Sequence, residues 1–562
     1  MKALLLAFAV LPRPQSVEPA DMRSVIELHR ADHELLERRY AAPMSAERTE
    51  RLRRFDEERL AEAEALDYDA LDVDGRVDWH LLRNAIRSDL ADLELEARRD
   101  GELAELLPFA PTITALAEAR QRVERVDADA SARTVAQLHE DVEAALERLG
   151  EGEFDDTPPV VASRAVRRLD DLADAFDEWF RFRVDYDPIF TWWVGRPHEA
   201  ARASLDSYRD AIRSRLVESN GERDATLTAD PIGRDALLAA LAREYVPYSP
   251  EELVAIAERE FAWCDEQMLA ASRELGFGDD WRAAQDHVKS LYVAPGEQPY
   301  LVRDLVEEAI DWFEARDLVT IPPLCAENWR MTMLSADQQR TSPYFLGGEC
   351  IQVSYPTSSM DDDAKRATLL GNNVHFARAV AHHEVIPGHG LQAYVQARNR
   401  PYRRMFSTPF WVEGWALYWE MRLFDLDFAR GPEDRIGMLF WRKHRCARIV
   451  FSLSVHLGTM TPEEAVDYLV ERVGHERKNA EGEVRRSVGG LYPPLYQAAY
   501  MLGGLQLRAL HDELVARGEW TERRFHDAVL HENSIPIELL RAALRRDELP
   551  RDFESSWRFA DE

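Results

Sequence analysis

One short stretch of the sequence combines two histidines and a glutamate in a spacing that suits metal chemistry. His383 and Glu384 are adjacent, and a second imidazole follows at His389. In the zinc-binding HExxH pattern, two histidines four residues apart share one helix face, and the glutamate between them serves as general base. Here the second histidine comes six residues after the first. The stretch therefore predicts a zinc site only if the helix is interrupted between the two imidazoles.

The residues between the two histidines supply such an interruption. On a regular helix six residues turn through about 600°, so the imidazoles of His383 and His389 would diverge. Pro387 removes a backbone donor and disturbs the preceding turn, while Gly388 tolerates unusual dihedral angles. The competing pair, His382 and His389, shares a face but lies about 10.5 Å apart along the axis, too far for one ion. We expect a local break that brings His383 and His389 together.

A zinc site of this kind needs a third ligand, and a downstream segment rich in tryptophan offers Glu413. Two helices joined by a loop near Pro401 would place this carboxylate against the ion and leave a fourth position for water. Such a site suits hydrolysis, with Glu384 as the base. The alternative is a chance histidine pair and a solvated glutamate. A proline inside a helical pattern costs about 3 kcal/mol, which favours the functional interpretation.

Two motifs here resemble those of the domain of unknown function 885 family, HExxPGHxxQ and EGWAxYxE. They occupy residues 383–392 and 413–420. That family is similar to the gluzincin peptidases, which use two histidines and a distant glutamate. The resemblance implies a large multi-helical, metallopeptidase-like fold. It also implies zinc on the two histidines and the downstream glutamate named above, with Glu384 as base.

A C-terminal segment extends this resemblance. Residues 494–503 are similar to the family's PGQxxxYxxG, although Leu495 and Tyr496 replace the glycine and the glutamine, which leaves the role of those two positions open. Tyr500 stays in register. We expect Tyr500 to donate a hydrogen bond to the oxyanion of a tetrahedral intermediate, an interaction worth about 3–4 kcal/mol. The alternative is a tyrosine of the core near a helix kink.

Three further residues are candidates for binding substrate. Arg486 could hold a substrate carboxylate bidentately, which would favour an exopeptidase or a small anionic substrate; a surface ion pair is the alternative. Gln352 and Tyr355 lie on the best strand candidate and could pair with an extended peptide, or belong to an ordinary structural strand. Glu420 or Asn372 could orient the histidine ligands.

The elements that must position these residues are mainly helical. Amphipathic patterns recur from about residue 20 to 270, for example at 77–95, 134–149 and 166–183. Ser249 and Pro250 signal the start of a helix that we expect to reach about Leu275. Proline-containing stretches at 156–159 and 195–197 punctuate the patterns.

A strand is predicted only in the middle of the chain, at residues 350–355, and helical patterns resume after the aspartates at 361–363. The expected fold is mainly α, with a small β-sheet beside the active-site helix. We expect an N-terminal segment at 1–20, a helical region at 21–270 and a catalytic zinc-binding region at 271–562, the last two packed as one continuous unit.

The composition excludes several classes of partner. The formal charge is −33, from 103 acidic and 70 basic residues, which disfavours binding to nucleic acids and to anionic membranes. Lysine is rare among the basic residues, and an acidic, lysine-poor surface is typical of halophilic proteins. No apolar stretch is long enough for a membrane span. The four cysteines form no CxxC pair, so we expect reduced thiols.

The N-terminus is ambiguous. Met1 and Lys2 precede an apolar run from Ala3 to Leu11 that resembles a short signal peptide, but no small-x-small cleavage site follows. We expect a cytoplasmic protein, with export as the alternative.

Taken together, these residues predict a zinc-dependent hydrolase, a metallopeptidase that cleaves small or extended peptides. Two alternatives remain open. The first is a zinc-dependent amidase or deacylase acting on a non-peptide substrate, which would keep every ligand but need a cleft of another shape. The second is a non-catalytic helical binding protein that has kept the motif for structure. The sequence does not indicate the oligomeric state.

Overall fold

The computed structural model describes residues 21–217, 227, 229–339, 344–347, 350–490 and 492–560. The signal-like segment at 1–20 lies outside these ranges. Within them the chain forms 23 α-helices and two strands of three residues each. The prediction of a mainly α fold is confirmed.

The first eight helices cover the N-terminal part of the chain: α1 (Met22–Arg39), α2 (Ala46–Glu64), α3 (Val73–Glu102), α4 (Ala110–Gln121), α5 (Ala128–Gly150), α6 (Pro159–Arg181), α7 (Pro188–Ile212) and α8 (Gly233–Arg243). Six helices and both strands follow up to the predicted metal motif: α9 (Pro250–Glu274), α10 (Trp281–Lys289), α11 (Gln298–Glu314), α12 (Pro323–Asn328), β1 (Met331–Met333), α13 (Ala336–Gln339), β2 (Ile351–Val353) and α14 (Asp362–Gly371).

The remaining helices form the C-terminal part: α15 (Val374–Glu384), α16 (His389–Gln396), α17 (Pro409–Asp425), α18 (Pro432–His456), α19 (Pro462–Tyr468), α20 (Arg477–Val488), α21 (Tyr496–His511), α22 (Glu522–His531) and α23 (Ile537–Arg545). Short 3₁₀ or π segments extend or connect some of the helices, at Tyr68–Ala70, Arg213–Val217, Pro401–Phe406, Leu469–Val473 and Asp512–Ala516.

Helix α9 begins and ends as its sequence predicts. The Ser249 hydroxyl accepts a hydrogen bond from the Glu252 backbone N–H at 3.2 Å, and the Glu252 carboxylate accepts one from the Ser249 N–H at 2.7 Å. This capping box satisfies two backbone donors that the first turn would otherwise leave without partners. The observed helix, Pro250–Glu274, confirms the predicted one to within a residue.

The stretch at 195–197 does not end a helix as the sequence suggested. Pro197 lies inside α7, which continues to Ile212. Val194 and Ala201, on either side of the proline, are completely buried. Their packing offsets a proline penalty of about 3 kcal/mol, because tertiary burial provides most of the stability of a helix in a protein.

Two hydrophobic cores organise the helices. The smaller core belongs to α4–α7 and includes Leu138, Phe176 and Tyr208. The larger core is built by the other helices and contains residues from both sides of residue 270, for example Met268 and Ala284. The division into regions 21–270 and 271–562 stays a prediction. No helix among the described residues combines the length and the apolarity needed to cross a membrane.

The small sheet is shorter than predicted, and its edge lies elsewhere. β1 and β2 pair in parallel, with Met331 opposite Ile351. On the other side of β2, Leu346 and Gln352 exchange both backbone hydrogen bonds, at 2.7 and 3.0 Å. β2 lies inside the strand predicted at 350–355. Of the two possibilities for residues 352–355, the structure favours an ordinary structural strand over a free edge. Neighbours cover β2 on both sides, and the segment 345–347 forms the outer edge.

Candidate metal centre

The helix that carries the first histidine breaks where the sequence predicts. Helix α15 ends at Glu384 and α16 begins at His389, and the Ile386–Pro387 peptide bond between them is cis. A Cβ atom on Gly388 would lie 1.7 Å from the His383 carbonyl oxygen, so only glycine fits this turn. The break brings the two imidazole rings to 4.9 Å between centroids, nearly perpendicular to each other.

Two carboxylates join the imidazoles. Glu413, from α17, places Oε2 at 3.2 Å from His389 Nε2 and at 3.6 Å from His383 Nε2. Ligand-type atoms of His383, Glu384 and His389 also lie within 4.8 Å of one another. Both glutamates could therefore reach a shared ion, and we assign the ligand role to Glu413 because one of its oxygens faces both Nε2 atoms. His382 packs instead against the Phe428 ring, as the helical geometry requires.

In each candidate ligand, the nitrogen or oxygen atom that faces away from the other ligands takes part in a hydrogen bond. His383 Nδ1 lies 2.6 Å from Glu420 Oε1, and His389 Nδ1 lies 2.9 Å from Gln392 Oε1. The Tyr496 hydroxyl donates to Glu413 Oε1 at 2.5 Å. When Nδ1–H donates, Nε2 carries the lone pair that a metal needs.

These contacts test the two residues proposed to orient the histidines. Glu420 makes the expected contact, and Arg445 supports it by donating to the same oxygen at 3.3 Å. Asn372 lies at the C-terminal end of α14, where its amide donates to the Thr368 carbonyl.

The electrostatics of the cluster favour a bound cation. Burial opposes ionisation of Glu413, but the facing imidazoles hold the pKa of its carboxyl well below the usual range. Burial also disfavours a charged His383, but Glu413 and Glu420 raise its pKa to about 9. A positive charge between Glu413 and Glu420 is thus stabilised. A divalent ion bound there would stabilise the carboxylates, as a proton on the imidazole does without it.

Burial raises the pKa of the remaining carboxyl group, Glu384. Its Oε2 is buried and has no hydrogen-bond partner among the described residues. Two imidazole nitrogens and one carboxylate oxygen form a donor set that zinc prefers, and catalytic zinc sites keep a further position for water. The residues therefore fit a zinc ion with an unengaged carboxylate beside it.

A cavity of about 380 Å³ opens over the cluster. Tyr500 lines it and lies parallel to the His383 ring, with the centroids 6.3 Å apart. The guanidinium groups of Arg445 and Arg448 lie over the Tyr500 ring at 4.6 and 4.4 Å. Burial raises the pKa of Tyr500, so its hydroxyl stays protonated at neutral pH and can donate a hydrogen bond.

Two of the three predicted substrate-binding residues line this cavity. Arg486 and Gln352 line it, whereas Tyr355 follows β2 and is not among the lining residues. Arg486 is 7% exposed and donates to the Tyr492 hydroxyl at 3.3 Å. Glu483 acts on Arg486 electrostatically, but no ion pair of Arg486 lies in the described part of the chain. Both proposed roles of Arg486 stay predictions.

Three neighbours of the cluster were not assigned roles from the sequence. Gln392 and Tyr496 contact candidate ligands; the first belongs to a recognised motif and the second was noted only as a departure from one. Gly347 lies so close to Glu384 that a Cβ atom would fall 2.1 Å from Oε2. Its only sequence signal is a pair of adjacent glycines before the predicted strand.

Comparison with known proteins identifies the family. Residues 30–544 match the family described as "Bacterial protein of unknown function (DUF885)". The chain belongs to this family. No curated protein matches the chain.

Two solved structures share the fold of this DUF885 member. One is described as "a putative lipoprotein of unknown function" from Shewanella oneidensis; it has a TM-score of 0.69 and 16% identity, and the match covers 93% of this chain and 99% of that one. The other, described as "the putative lipoprotein" from Colwellia psychrerythraea, has a TM-score of 0.61 and 16% identity, with 94% and 98% covered.

Proposed function

We propose that this chain is a zinc-dependent hydrolase, and more narrowly a metallopeptidase. One observation carries the proposal: the Nε2 atoms of His383 and His389 and one oxygen of Glu413 face a common point at the base of a cavity, with Glu384 beside them. This arrangement of three ligands and a free carboxylate is the minimum that hydrolysis by activated water requires.

In this mechanism the protein's own side chains hold the ion, position the water and move its proton. A bound zinc ion would polarise a substrate carbonyl and lower the pKa of a water molecule toward about 7. Glu384 Oε2, which has no other partner among the described residues, accepts the proton of the attacking water. Burial raises the pKa of Glu384, so the carboxyl can hold this proton and deliver it to the leaving amine.

The two tyrosines of α21 take different parts. Tyr496 donates to Glu413 and thereby fixes the orientation of a ligand. Tyr500, one helical turn further on, lines the cavity and is the candidate donor to the oxyanion.

The outer edge of the sheet supports a peptide as substrate. In a strand, the backbone N–H and C=O groups of successive residues point to alternate sides. Leu346 directs both groups toward Gln352, so those of Phe345 and Gly347 point to the opposite side. A Cβ atom on Gly347 would meet Glu384, so this edge runs beside the proposed base. An extended peptide can pair with this edge while its scissile bond lies over the base.

The cavity also carries a cation suited to a substrate carboxylate. Arg448 donates to Glu483 at 2.6 Å, and Arg445 donates to Glu420, so both have carboxylate partners. Arg486 donates to the Tyr492 hydroxyl and is influenced by the charge of Glu483, but it makes no ion pair among the described residues. A free C-terminus or an acidic side chain of the substrate would complete its pairing.

The test is a peptide panel. Zinc-loaded protein is incubated with peptides of several lengths, each with a free and with an amidated C-terminus, and the products are identified by mass spectrometry. We expect cleavage by the wild type, faster for the free C-terminus, and no cleavage by Glu384→Gln at equal zinc content. The matched control is Glu463→Gln, an exposed glutamate on α19, which should cleave like the wild type.

Each other outcome has a defined meaning. If only small non-peptide amides are hydrolysed, and Glu384→Gln abolishes that reaction, the hydrolase proposal stands and the peptidase proposal fails. If the protein binds no stoichiometric zinc, or if Glu384→Gln cleaves as well as the wild type, the proposed chemistry is wrong and a non-catalytic binding protein becomes the better interpretation.

A further inference from the structure

A second cluster of metal-ligand side chains lies apart from the cavity, where the first three helices pack together. His29 comes from α1, Asp56 from α2 and Asp89 from α3, and one ligand-type atom of each lies within 4.8 Å of the others. Each helix of the bundle thus contributes one side chain to a single point. Metal sites in helical bundles are commonly built from facing helices in this way.

Two of these side chains are buried without partners. His29 is 2% exposed and Asp56 is completely buried. Neither ring nitrogen of His29 and neither carboxylate oxygen of Asp56 has a hydrogen-bond partner among the described residues. Buried polar groups almost always have partners, because burying them without any is costly. The unpartnered atoms of these two side chains therefore require an explanation. A cation bound between one nitrogen of His29 and one oxygen of Asp56 would give each side chain a partner.

The cluster combines two carboxyl groups with a neutral imidazole. Burial, and after it the nearby Asp89 and Glu37, raise the pKa of Asp56 to about 7. Burial lowers the pKa of His29 to about 4, so its imidazole is neutral at pH 7, the form that binds metals. Other titratable groups that act on the cluster are His33, Glu37, Arg59, Asp92 and Arg243.

We propose that His29, Asp56 and Asp89 bind a divalent transition-metal ion at a second site, distinct from the catalytic cavity. An imidazole among the ligands disfavours calcium and magnesium, which prefer oxygen alone, and one nitrogen with two carboxylates suits zinc or manganese. A neighbouring cavity of about 540 Å³, which His29 and Asp89 line, provides an entry path.

The position of this site suggests a structural role. The same cavity is lined by Pro401, Arg404 and Met405, which belong to the 3₁₀ segment between α16 and α17. Those two helices carry His389 and Glu413. An ion held by α1–α3 therefore sits beside the connection between two ligands of the catalytic centre and would stabilise the surface against which that connection packs.

The experiment counts zinc in a protein whose first site is disabled, so its result does not depend on the proposed function. His383→Ala/His389→Ala protein is stripped with a chelator, reloaded with zinc, desalted and analysed by mass spectrometry for metals. We expect about one zinc per chain from the three remaining ligands. Adding Asp56→Asn should remove it, and adding Asp89→Asn should weaken binding at least about tenfold. The matched control is Asp69→Asn, an exposed aspartate of the 3₁₀ segment Tyr68–Ala70.

A second measurement guards against misfolded variants. In the unmodified full chain, hydrogen exchange of α1, α2 and α3 is compared at two buffered zinc concentrations. Both saturate the first site, and only the higher one fills the second. We expect slower exchange in these three helices when the second site fills. Equal zinc content with and without Asp56→Asn, or no zinc at all in the reloaded background, overturns the proposal.

Discussion

The sharpest prediction concerns Gly347, whose α-carbon faces the proposed base. A methyl group placed there would lie 2.1 Å from Glu384 Oε2, 2.9 Å from a carbon of the His389 ring and 3.1 Å from the Glu384 carbonyl oxygen. The first of these contacts is far too short, so something must move. The end of the Glu384 side chain is the softest of the three, because the ring is held by Gln392 and the carbonyl is backbone.

The size of the effect follows from this geometry. To reach an ordinary contact of 3.4 Å, the carboxylate oxygen must retreat by about 1.3 Å. A misplacement of about 1 Å in a reacting group can cost about 10²-fold in rate, or about 2.7 kcal/mol in the barrier. We therefore expect Gly347→Ala to lower kcat about 10²-fold, although Glu384 and all three ligands are still present.

The assay measures kcat, KM and zinc content on the best peptide of the panel. Gly347→Ala should keep its zinc, fall in kcat, and lie between the wild type and Glu384→Gln. Gly101→Ala is the control, because a Cβ atom there meets nothing within 4 Å. A Gly347→Ala protein with the wild-type kcat would show that Gly347 does not constrain the base. A loss of zinc in proportion to the loss of activity would show that the methyl group disturbs His389 instead.

Three other predictions test the surroundings of the site. Glu420→Gln removes the charge that His383 contacts through Nδ1 and should weaken zinc binding about 10–100-fold in a chelator competition; unchanged affinity would contradict that role. Tyr500→Phe should lower kcat about 10²–10³-fold with little change in KM, whereas a rise in KM alone would indicate substrate binding. Burial raises the pKa of Glu483, but Arg448 outweighs this and lowers it to about 2. The ion pair should therefore stabilise the fold above the unfolded pKa of about 4.3 and lose that contribution as the pH falls toward 2. Urea unfolding should show this loss in the wild type and not in Glu483→Gln.

Local chemistry explains the parts of the structure that the sequence predicts well. The helix start at Pro250 follows from a capping box formed within four residues, and the break after Glu384 follows from Pro387 and Gly388. In each case the residues that decide the backbone are neighbours along the chain. The approach of His383 to His389 then depends only on residues 383–389.

The parts that the sequence does not predict depend on contacts between distant residues. Gly347 meets Glu384 only because the sheet edge packs over α15, and nothing in the pattern around either residue encodes that approach. β2 was a recognisable strand, but its partners on both sides decide which segment is the edge. Tyr496 looked like a loss from a family motif, yet its hydroxyl reaches Glu413 from another helix.

The net charge of −33 describes the surface and not the site. Three arginines line the cavity, and carboxylates lie at its base. Positive and negative groups with different roles are therefore close together. The carboxylates at the base have imidazoles, and in our proposal zinc, as counter-charges, while Arg445 and Arg448 already have carboxylate partners. Arg486 shares the charge of Glu483 with Arg448 and makes no ion pair of its own among the described residues, so in our proposal a substrate carboxylate pairs with it. Our proposal thus lets an acidic protein bind an anionic substrate, because a buried ion pair acts at contact distance while the surface charge is screened by salt within about 10 Å.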